Sequence, residues 1–290
     1  MEVCTFPNIS EFENSTFSQF QKLSANRTPI LTPYSFELVD WESWGDSMGE
    51  NWILPIPTGI LYLATIFTVK KIMMRRKGFD LSGELFLWNA GLGLFSLIGF
   101  VRTVPELVVR IWEDGFQNSI CVGNQFSAPF AFWIFLFTYS KFVELGDTMF
   151  IVLRKKPLLF LQWYHHIVTL TYCWLIVPFF EPVGAYFAVM NYGVHSLMYP
   201  YFAVKALGWN APRWLANIIT TAQLLQMWAG FFLNFYSVFL TWRGIPCYRA
   251  PLSIYAGFVV YGSFIFVFTL LFREVVSKSR KIPVMKSKSM

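Results

Sequence analysis

The three histidines of this 290-residue chain, His165, His166 and His195, all fall within long apolar stretches. Ionisable side chains are costly in hydrocarbon, so residues of this kind at membrane depth usually carry a function. Imidazole can serve as a nucleophile, a proton carrier or a metal ligand near neutral pH. The sequence therefore predicts a reactive site inside a membrane, built around these side chains.

The positions of the histidines along their stretches predict a similar depth. His165 lies about seven residues from the start of its predicted span, which is roughly 10 Å at 1.5 Å per residue. His195 lies about ten residues from the cytosolic end of its own predicted span, so both rings are expected in the cytosolic half of the membrane. His166 is turned about 100° from His165 on a helix and cannot easily face the same atom. We expect one of these two rings to react and a partner to hold the other.

Charged residues at intervals of three precede the histidines. Lys141, Glu144 and Asp147 follow one helix face, which must point to the interior because charges facing lipid would be prohibitive. For Lys141 and Glu144 the sequence favours an internal ion pair that fixes helix packing, and for Asp147 it favours the orientation of a histidine. For Gln223 and Gln226, in a later apolar stretch, two interpretations stay open: they contribute to interhelical packing, or they provide hydrogen bonds in the site.

Helices that cross a membrane are needed to position these residues. Hydrophobic side chains make up 55% of the chain and charged ones only 14%, which excludes an ordinary soluble domain. The apolar stretches are about twenty residues long, enough to cross roughly 30 Å of hydrocarbon as helices. We predict an all-α fold, a polytopic membrane bundle of seven transmembrane helices over 52–272, between a first segment at 1–51 and a basic tail at 273–290. The spans are predicted near 52–70, 84–104, 129–153, 158–178, 183–205, 213–236 and 252–272.

Basic residues cluster at the ends of the spans on one side, which favours membrane topology over nucleic-acid binding. By the positive-inside rule that side is cytosolic, so the first segment is expected in the lumen of the endoplasmic reticulum and the tail in the cytosol. Glycosylation sequons fall in the predicted lumenal segment at Asn8, Asn14 and Asn26. Lys286 and Lys288 resemble a dilysine retrieval signal, with a solvated basic tail as the alternative reading.

Two of the four cysteines fall in predicted lumenal loops. Cys121 follows the second span and Cys247 precedes the last one. The lumen is oxidising, so a disulfide between them is permitted. Cys173 lies inside a span, where a small buried hydrophobe is the usual role of cysteine.

Five motifs follow one another along the chain. They are Lys141-Phe-Val-Glu144-Leu-Gly-Asp147-Thr148, Leu153-Arg-Lys-Lys, Gln162-Trp-Tyr-His165-His166, Asn191-Tyr-Gly-Val-His195-Ser-Leu-Met-Tyr199 and Thr220-Thr-Ala-Gln223-Leu-Leu-Gln226. Taken together and in this order, they resemble the very-long-chain fatty acid elongases, the membrane 3-ketoacyl-CoA synthases, over roughly residues 80–275. The resemblance implies condensation of a long-chain acyl-CoA with malonyl-CoA, with release of carbon dioxide and coenzyme A, in helices that enclose an acyl tunnel. The motif sequences are similar to those of the branch that acts on saturated and monounsaturated chains.

The resemblance also implies roles for these residues and a set of partners. His165 would carry the acyl group, His195 would lie across the tunnel and orient malonyl-CoA, and His166 with Asp147 would hold the imidazoles in the required tautomer. No cofactor or metal is expected. The partners would be acyl-CoA and malonyl-CoA, a 3-ketoacyl-CoA reductase, a 3-hydroxyacyl-CoA dehydratase and an enoyl-CoA reductase, and a homo- or hetero-oligomer is compatible. Substrate contacts are expected from Lys141, Gln162, Asn191, Tyr199, Gln223 and Gln226.

One position departs from the family pattern, because Gln162 stands where the first histidine of the His-x-x-His-His box belongs. Glutamine can hydrogen-bond but cannot carry a proton as imidazole does. A non-catalytic relative that binds acyl-CoA, or that pairs with an active paralogue, is therefore the main alternative. A three-histidine zinc hydrolase is a further one, since three histidines and a carboxylate could form an open zinc site. A di-iron desaturase is excluded because three histidines are too few, and the ordered motifs oppose a receptor or transporter.

Overall fold

The computed structural model describes residues 28–123 and 126–280, and within these ranges the chain is helical without a β-strand. The sequons at Asn8, Asn14 and Asn26 and the lysines Lys286 and Lys288 lie outside the described residues. Short 3₁₀ turns form at Ser35–Glu37 and Val177–Phe179. The α-helices are α1 Trp41–Glu50, α2 Pro55–Met73, α3 Ser82–Cys121, α4 Ala128–Glu144, α5 Gly146–Leu153, α6 Phe160–Ile176, α7 Pro182–Ala206, α8 Arg213–Trp242 and α9 Pro251–Arg280.

The helices form a polytopic membrane bundle, as the composition predicts. Among the described residues, α2, α3, α8 and the Pro251–Leu270 part of α9 are long and apolar enough to cross a membrane by themselves. The third predicted span, 129–153, is built from α4 and α5, which follow one another across Leu145. Large apolar side chains such as Leu61, Leu87 and Val259 are exposed on the outside, where lipid is their natural solvent. The count of seven spans stays a prediction.

The longest helix contact joins α3 to α7, and small residues on α3 make it close. A Cβ atom added at Gly99 would lie 2.4 Å from the ring of Tyr192, so the tyrosine ring occupies the place of a side chain. Gly93 receives the ring of Pro200 in the same way, with only 2.8 Å between an added Cβ and the proline Cδ. Pro200 is thus accommodated inside α7 by packing on a glycine of its neighbour.

Five helices close into a ring around an internal space. α4 packs on α6 and on α7, α6 packs on α9, α9 on α8, and α8 on α7. α2 stays outside this ring, against α5 and α6. It is tied to α5 by a buried hydrogen bond of 2.6 Å from the Tyr62 hydroxyl to Thr148 Oγ1. The ring therefore supplies the walls of any internal site, and α2 supports it from outside.

A polar network joins the helix ends on the side of the ring where α7 begins. The Arg249 guanidinium donates to Glu181 Oε2 at 2.8 Å, to Ser237 Oγ at 2.6 Å and to Asn234 Oδ1 at 2.6 Å. Nearby, Cys121 and Cys247 form a disulfide, and the amide of Tyr248 donates to the Cys121 carbonyl at 2.8 Å. The disulfide that the sequence permits is therefore formed, and it links the loop before α9 to the end of α3.

The segment before α1 is anchored by one buried carboxylate. Glu37 is fully buried and accepts from Arg102 Nε at 2.8 Å and from Trp133 Nε1 at 2.7 Å. Burial alone would raise the pKa of Glu37, but the hydrogen bonds from Arg102 and Trp133 outweigh it, so its pKa lies below the usual value. The ionised form of Glu37 therefore stabilises the folded state.

Replacement of Glu37 should unfold this anchor. We expect Glu37→Gln to lower the free energy of unfolding by about 2 kcal/mol, because the partly buried charge of Arg102 loses its partner. In the wild type this contribution is complete above the unfolded-state pKa of about 4.3 and is lost as pH falls through the lower folded-state pKa. Thermal unfolding in nanodiscs between pH 7 and pH 3 measures both effects.

The control is Glu42→Gln, which removes an exposed carboxylate of α1. This variant should have the same thermal unfolding midpoint as the wild type, and the midpoint should change with pH in the same way. Equal midpoints for Glu37→Gln and the wild type at pH 7 would show that the anchor contributes nothing to stability.

Candidate active site

The ring of α4, α6, α7, α8 and α9 lines a cavity of about 860 Å³, a volume that includes space open to solvent. The wall residues of α6 run from His165 to Ile176, so the cavity follows that helix for roughly 16 Å at 1.5 Å per residue. We call the part lined by His165, Asn191 and Gln226 the histidine end, and the part lined by Phe180 and Glu181 the far end. Between them the wall is largely aromatic and aliphatic.

His165 is the histidine that forms part of the cavity wall. Its ring lies 4.9 Å from the ring of Phe264, centroid to centroid, and its Nδ1 is 3.5 Å from Thr169 Oγ1, one turn further along α6. Thr169 belongs to the wall as well. An imidazole at one end of an apolar cavity, with a hydroxyl near Nδ1, can present Nε2 as a nucleophile.

His166 points away from His165 and toward Asp147. The planes of the two rings are inclined by 68°, and His166 Nε2 lies 3.8 Å from Asp147 Oδ2. Asp147 is fixed by two other donors, with Trp88 Nε1 at 2.6 Å and the Tyr199 hydroxyl at 2.9 Å. The divergence of the adjacent histidines agrees with helix geometry, and Asp147 lies beside His166 as the sequence suggests.

Trp88 is a site residue that sequence reasoning missed. A buried indole N–H needs an acceptor, but a tryptophan in an apolar helix gives no sign of which acceptor it has. The contact depends on Gly146, where an added Cβ would lie 2.6 Å from the Trp88 ring. The sequence feature that could have indicated this contact is Gly146, because a glycine next to Asp147 leaves room for the indole to approach.

Four buried residues form a closed polar ring beside the histidine end, namely Lys141, Glu144, Asn191 and His195. Lys141 Nζ donates to Glu144 Oε1 at 2.7 Å and to Asn191 Oδ1 at 3.0 Å. Asn191 Nδ2 lies 3.2 Å from His195 Nε2. His195 Nδ1 lies 3.8 Å from Glu144 Oε1, which returns to the start. The ion pair of Lys141 and Glu144 that the sequence favours is thus present and extends to two more side chains.

The donors and acceptors of this polar ring fix one tautomer of His195. The ammonium of Lys141 cannot accept a hydrogen bond, so Asn191 must present its oxygen to Lys141 and its NH₂ group to His195. His195 Nε2 is therefore the acceptor and carries no proton in the neutral ring. The proton sits on Nδ1, which faces the carboxylate of Glu144.

The structure therefore gives His195 a different setting from the one inferred across the tunnel. Its two nitrogens face Asn191 and Glu144, and it is not among the residues that line the cavity. The reason is the polar ring: His195 makes its contacts with Asn191 and Glu144 only when its side chain turns toward α4. His195 can reach a substrate only through Asn191.

Two of the six expected substrate contacts, Asn191 and Gln226, do line the cavity. The other four are not among its wall residues. Lys141 belongs to the polar ring, the Tyr199 hydroxyl donates to Asp147, and Gln223 Nε2 lies 3.2 Å from Met198 Sδ. These polar groups have protein partners because an unpaired polar group is costly in the membrane interior.

Gln162, the fourth, has a partner at the beginning of α6. Its Oε1 accepts from the backbone N–H of Leu159 at 2.9 Å, which caps the first turn of the helix. Glutamate and glutamine are the residues that serve best at this position of a capping box. Within the described residues, no three histidine, cysteine, aspartate or glutamate side chains converge as a metal site requires.

Comparison with known proteins finds close relatives over most of the chain. Residues 47–283 match the family model described as "ELO: GNS1/SUR4 family". The chain is 35% identical to a protein named putative fatty acid elongase 4 from Caenorhabditis elegans, over 97% of this chain and 98% of the relative. It is 40% identical to very long chain fatty acid elongase 6 of Drosophila melanogaster, over 78% of this chain and 72% of the relative. The human protein of the same name is 37% identical, over 84% of this chain and 91% of the relative.

The capping role of Gln162 can be separated from a role in substrate binding. We expect Gln162→Ala to lower the free energy of unfolding by about 1 kcal/mol, because a cap is lost. Gln162→Glu should keep the wild-type stability, because its carboxylate accepts from the same backbone N–H. Thermal unfolding of both variants is the measurement. Equal losses in Ala and Glu variants would instead point to the amide N–H₂ group of Gln162, and so to a role outside capping.

Proposed function

Because the chain belongs to the ELO (GNS1/SUR4) family, we propose that it is a condensing enzyme of fatty acid elongation, a very-long-chain 3-oxoacyl-CoA synthase. Its substrates would be a long-chain acyl-CoA and malonyl-CoA, and its products 3-ketoacyl-CoA, carbon dioxide and coenzyme A. The relatives that match over most of the chain are named fatty acid elongases. The observation that carries the proposal is the place of His165, at one end of a long apolar cavity.

The shape of the cavity supports an acyl chain as its occupant. A wall of aromatic and aliphatic side chains extends from His165 toward Ile176 and offers few hydrogen bonds to a polar ligand. Each methylene group that leaves water contributes roughly 0.8 kcal/mol, so a long chain binds better than a short one as long as the cavity holds it. The thioester then lies near His165, where the chain begins.

In the first step His165 takes the acyl group from coenzyme A. Its Nε2 lone pair attacks the thioester carbon and forms a carbon–nitrogen bond, and the carbonyl oxygen becomes negatively charged. The carbon–sulfur bond then breaks, and the thiolate of coenzyme A leaves with the proton released from Nδ1 of the imidazole. The acyl-imidazole that remains is labile enough to serve as an intermediate.

In the second step malonyl-CoA supplies the carbon nucleophile. Its carboxylate leaves as carbon dioxide, and the electron pair of the broken bond forms an enolate. The enolate carbon attacks the acyl carbon, a carbon–carbon bond forms and the carbon–nitrogen bond to His165 breaks. The imidazole recovers one proton, so the sum is acyl-CoA, malonyl-CoA and a proton going to 3-ketoacyl-CoA, carbon dioxide and coenzyme A.

The departure at Gln162 is compatible with an active enzyme. The contact that Gln162 makes is a helix cap, which needs an acceptor and no titrating group. His166 is positioned next to Asp147 without help from residue 162. This weakens the main ground for a non-catalytic relative.

The cellular setting we propose is the membrane of the endoplasmic reticulum, with the first segment in the lumen and the tail in the cytosol. A disulfide between Cys121 and Cys247 supports an oxidising environment on that side, because cytosolic thiols are kept reduced. The histidine end then opens toward the cytosol, where acyl-CoA and malonyl-CoA are available. The product must next be reduced, dehydrated and reduced again, which calls for the three partner enzymes named above.

The loss of His165 should abolish condensation. We expect His165→Ala to incorporate labelled malonyl-CoA into lipid at least 100-fold more slowly than the wild type, because no nucleophile replaces the imidazole. Incubation with acyl-CoA alone should give a wild-type mass increase of one acyl group on His165, released by hydroxylamine. Purified protein in nanodiscs and intact-mass spectrometry provide the measurements.

The control is Asn217→Ala, an exposed position on α8 outside the cavity wall. It should elongate at the wild-type rate. Equal incorporation by His165→Ala and the wild type would refute the proposed function, whereas turnover without an adduct would refute only the two-step route.

A further inference from the structure

The amide of Asn191 is held from two sides and has one donor left over. Its Oδ1 accepts from Lys141, and one hydrogen of Nδ2 faces His195 Nε2. The second hydrogen meets no acceptor among the described residues. Asn191 is buried and belongs to the cavity wall at the histidine end, together with His165.

We propose that this free N–H of Asn191 is the oxyanion donor of the site: it hydrogen-bonds to the carbonyl oxygen of the acyl thioester and stabilises the negative charge that forms when His165 attacks. The inference rests on the function proposed above and adds a catalytic residue to it. No bond to Asn191 forms or breaks, since the amide acts only as a donor.

The setting of Asn191 gives a donor fixed before the substrate arrives. Rotation of the amide would turn its NH₂ group toward the ammonium of Lys141, so the orientation is locked. A donor that needs no reorganisation, in a site without water, is the most effective kind of charge stabilisation. The cation on Oδ1 also draws electron density from the amide and strengthens its N–H as a donor.

The rest of the polar ring serves the same end. Glu144 balances the charge of Lys141 at 2.7 Å, which makes a buried cation tolerable in the membrane. His195 Nε2 faces the first N–H of Asn191 at 3.2 Å, and its Nδ1 lies 3.8 Å from Glu144 Oε1. His195 is therefore a positioning residue, which can affect the reaction through Asn191 without lining the cavity.

Other polar wall residues fit this role less well. Gln226 also carries an amide, but its buried Oε1 has no hydrogen-bond partner, so no contact fixes the direction of its NH₂ group. Thr169 carries a hydroxyl in the wall, but that hydroxyl lies at 3.5 Å from His165 Nδ1. Asn191 is thus the amide donor of the wall whose partners already fix its direction.

The experiment combines kinetics with infrared spectroscopy of a bound carbonyl. Asn191→Asp keeps the size of the side chain and an acceptor for Lys141 but removes both N–H donors, and Asn191→Ala removes the donor without adding a charge. We expect kcat to fall by about 100-fold to 1,000-fold in both, with KM changed by less than about threefold, as for loss of an oxyanion donor. Thermal unfolding establishes that each variant is folded.

The spectroscopic probe is a ¹³C-labelled ketone analogue of acyl-CoA, with a methylene group between sulfur and carbonyl so that no acyl transfer occurs. Its carbonyl stretch should move to lower frequency on binding the wild type, and this shift should vanish in both Asn191 variants. The matched control is Asn234→Asp. Asn234 is also buried and also accepts from a cation, Arg249, but it lies outside the cavity wall.

The results separate this inference from the proposed function. A wild-type shift that persists in Asn234→Asp and is absent in the Asn191 variants supports the inference. A carbonyl shift and a kcat that survive in either folded Asn191 variant overturn it, while elongation by the wild type leaves the proposed function standing. A wild type that neither elongates an acyl-CoA nor binds the analogue defeats the proposed function itself.

Discussion

The cost of a charge inside a membrane is the constraint on which this structure depends. Lys141 and Glu144 are both buried between helices, where burying either one without its partner would be costly. Their pairing leaves one hydrogen of the Lys141 ammonium directed at Asn191 and the carboxylate facing His195. The ion pair is therefore stabilised by the side chains to which the proposed chemistry assigns roles, so the same contacts fix helix packing and the geometry of the candidate site.

The same constraint divides the three histidines by role. His195 and His166 each have a carboxylate at 3.8 Å, Glu144 for the first and Asp147 for the second. His165 lacks a carboxylate at that distance in the described part of the chain and faces the cavity with Thr169 as its neighbour. In the proposed reaction the nucleophilic imidazole must keep one nitrogen free, and this requirement fits His165 better than the two histidines that face a carboxylate.

The sequence predicts the helices and the identity of the site better than it predicts the direction of each side chain. Spacing of three along 141–147 was enough to infer the ion pair, and adjacency of His165 and His166 was enough to infer that their rings diverge. The tautomer of His195 could not be inferred, because it follows from a contact between residues 141 and 191 on different helices. Trp88 and the cap at Gln162 were missed for two different reasons. One depends on where α3 meets α5, and the other on the exact residue at which α6 begins.

The two ends of the cavity differ in the polar groups that they could offer to a substrate. At the histidine end the polar ring of Lys141, Glu144, Asn191 and His195 is held together by its own contacts, and one N–H of Asn191 has no acceptor among the described residues. At the far end Glu181 is part of the wall, but its carboxylate is satisfied by Arg249 and by the hydroxyl of Ser253. A paired carboxylate there offers nothing to an acyl chain, so under the proposed function the chain would be held by apolar contact alone. Selectivity for the reacting group would then come from the histidine end, and the distance to the far end would limit the length of the chain that binds.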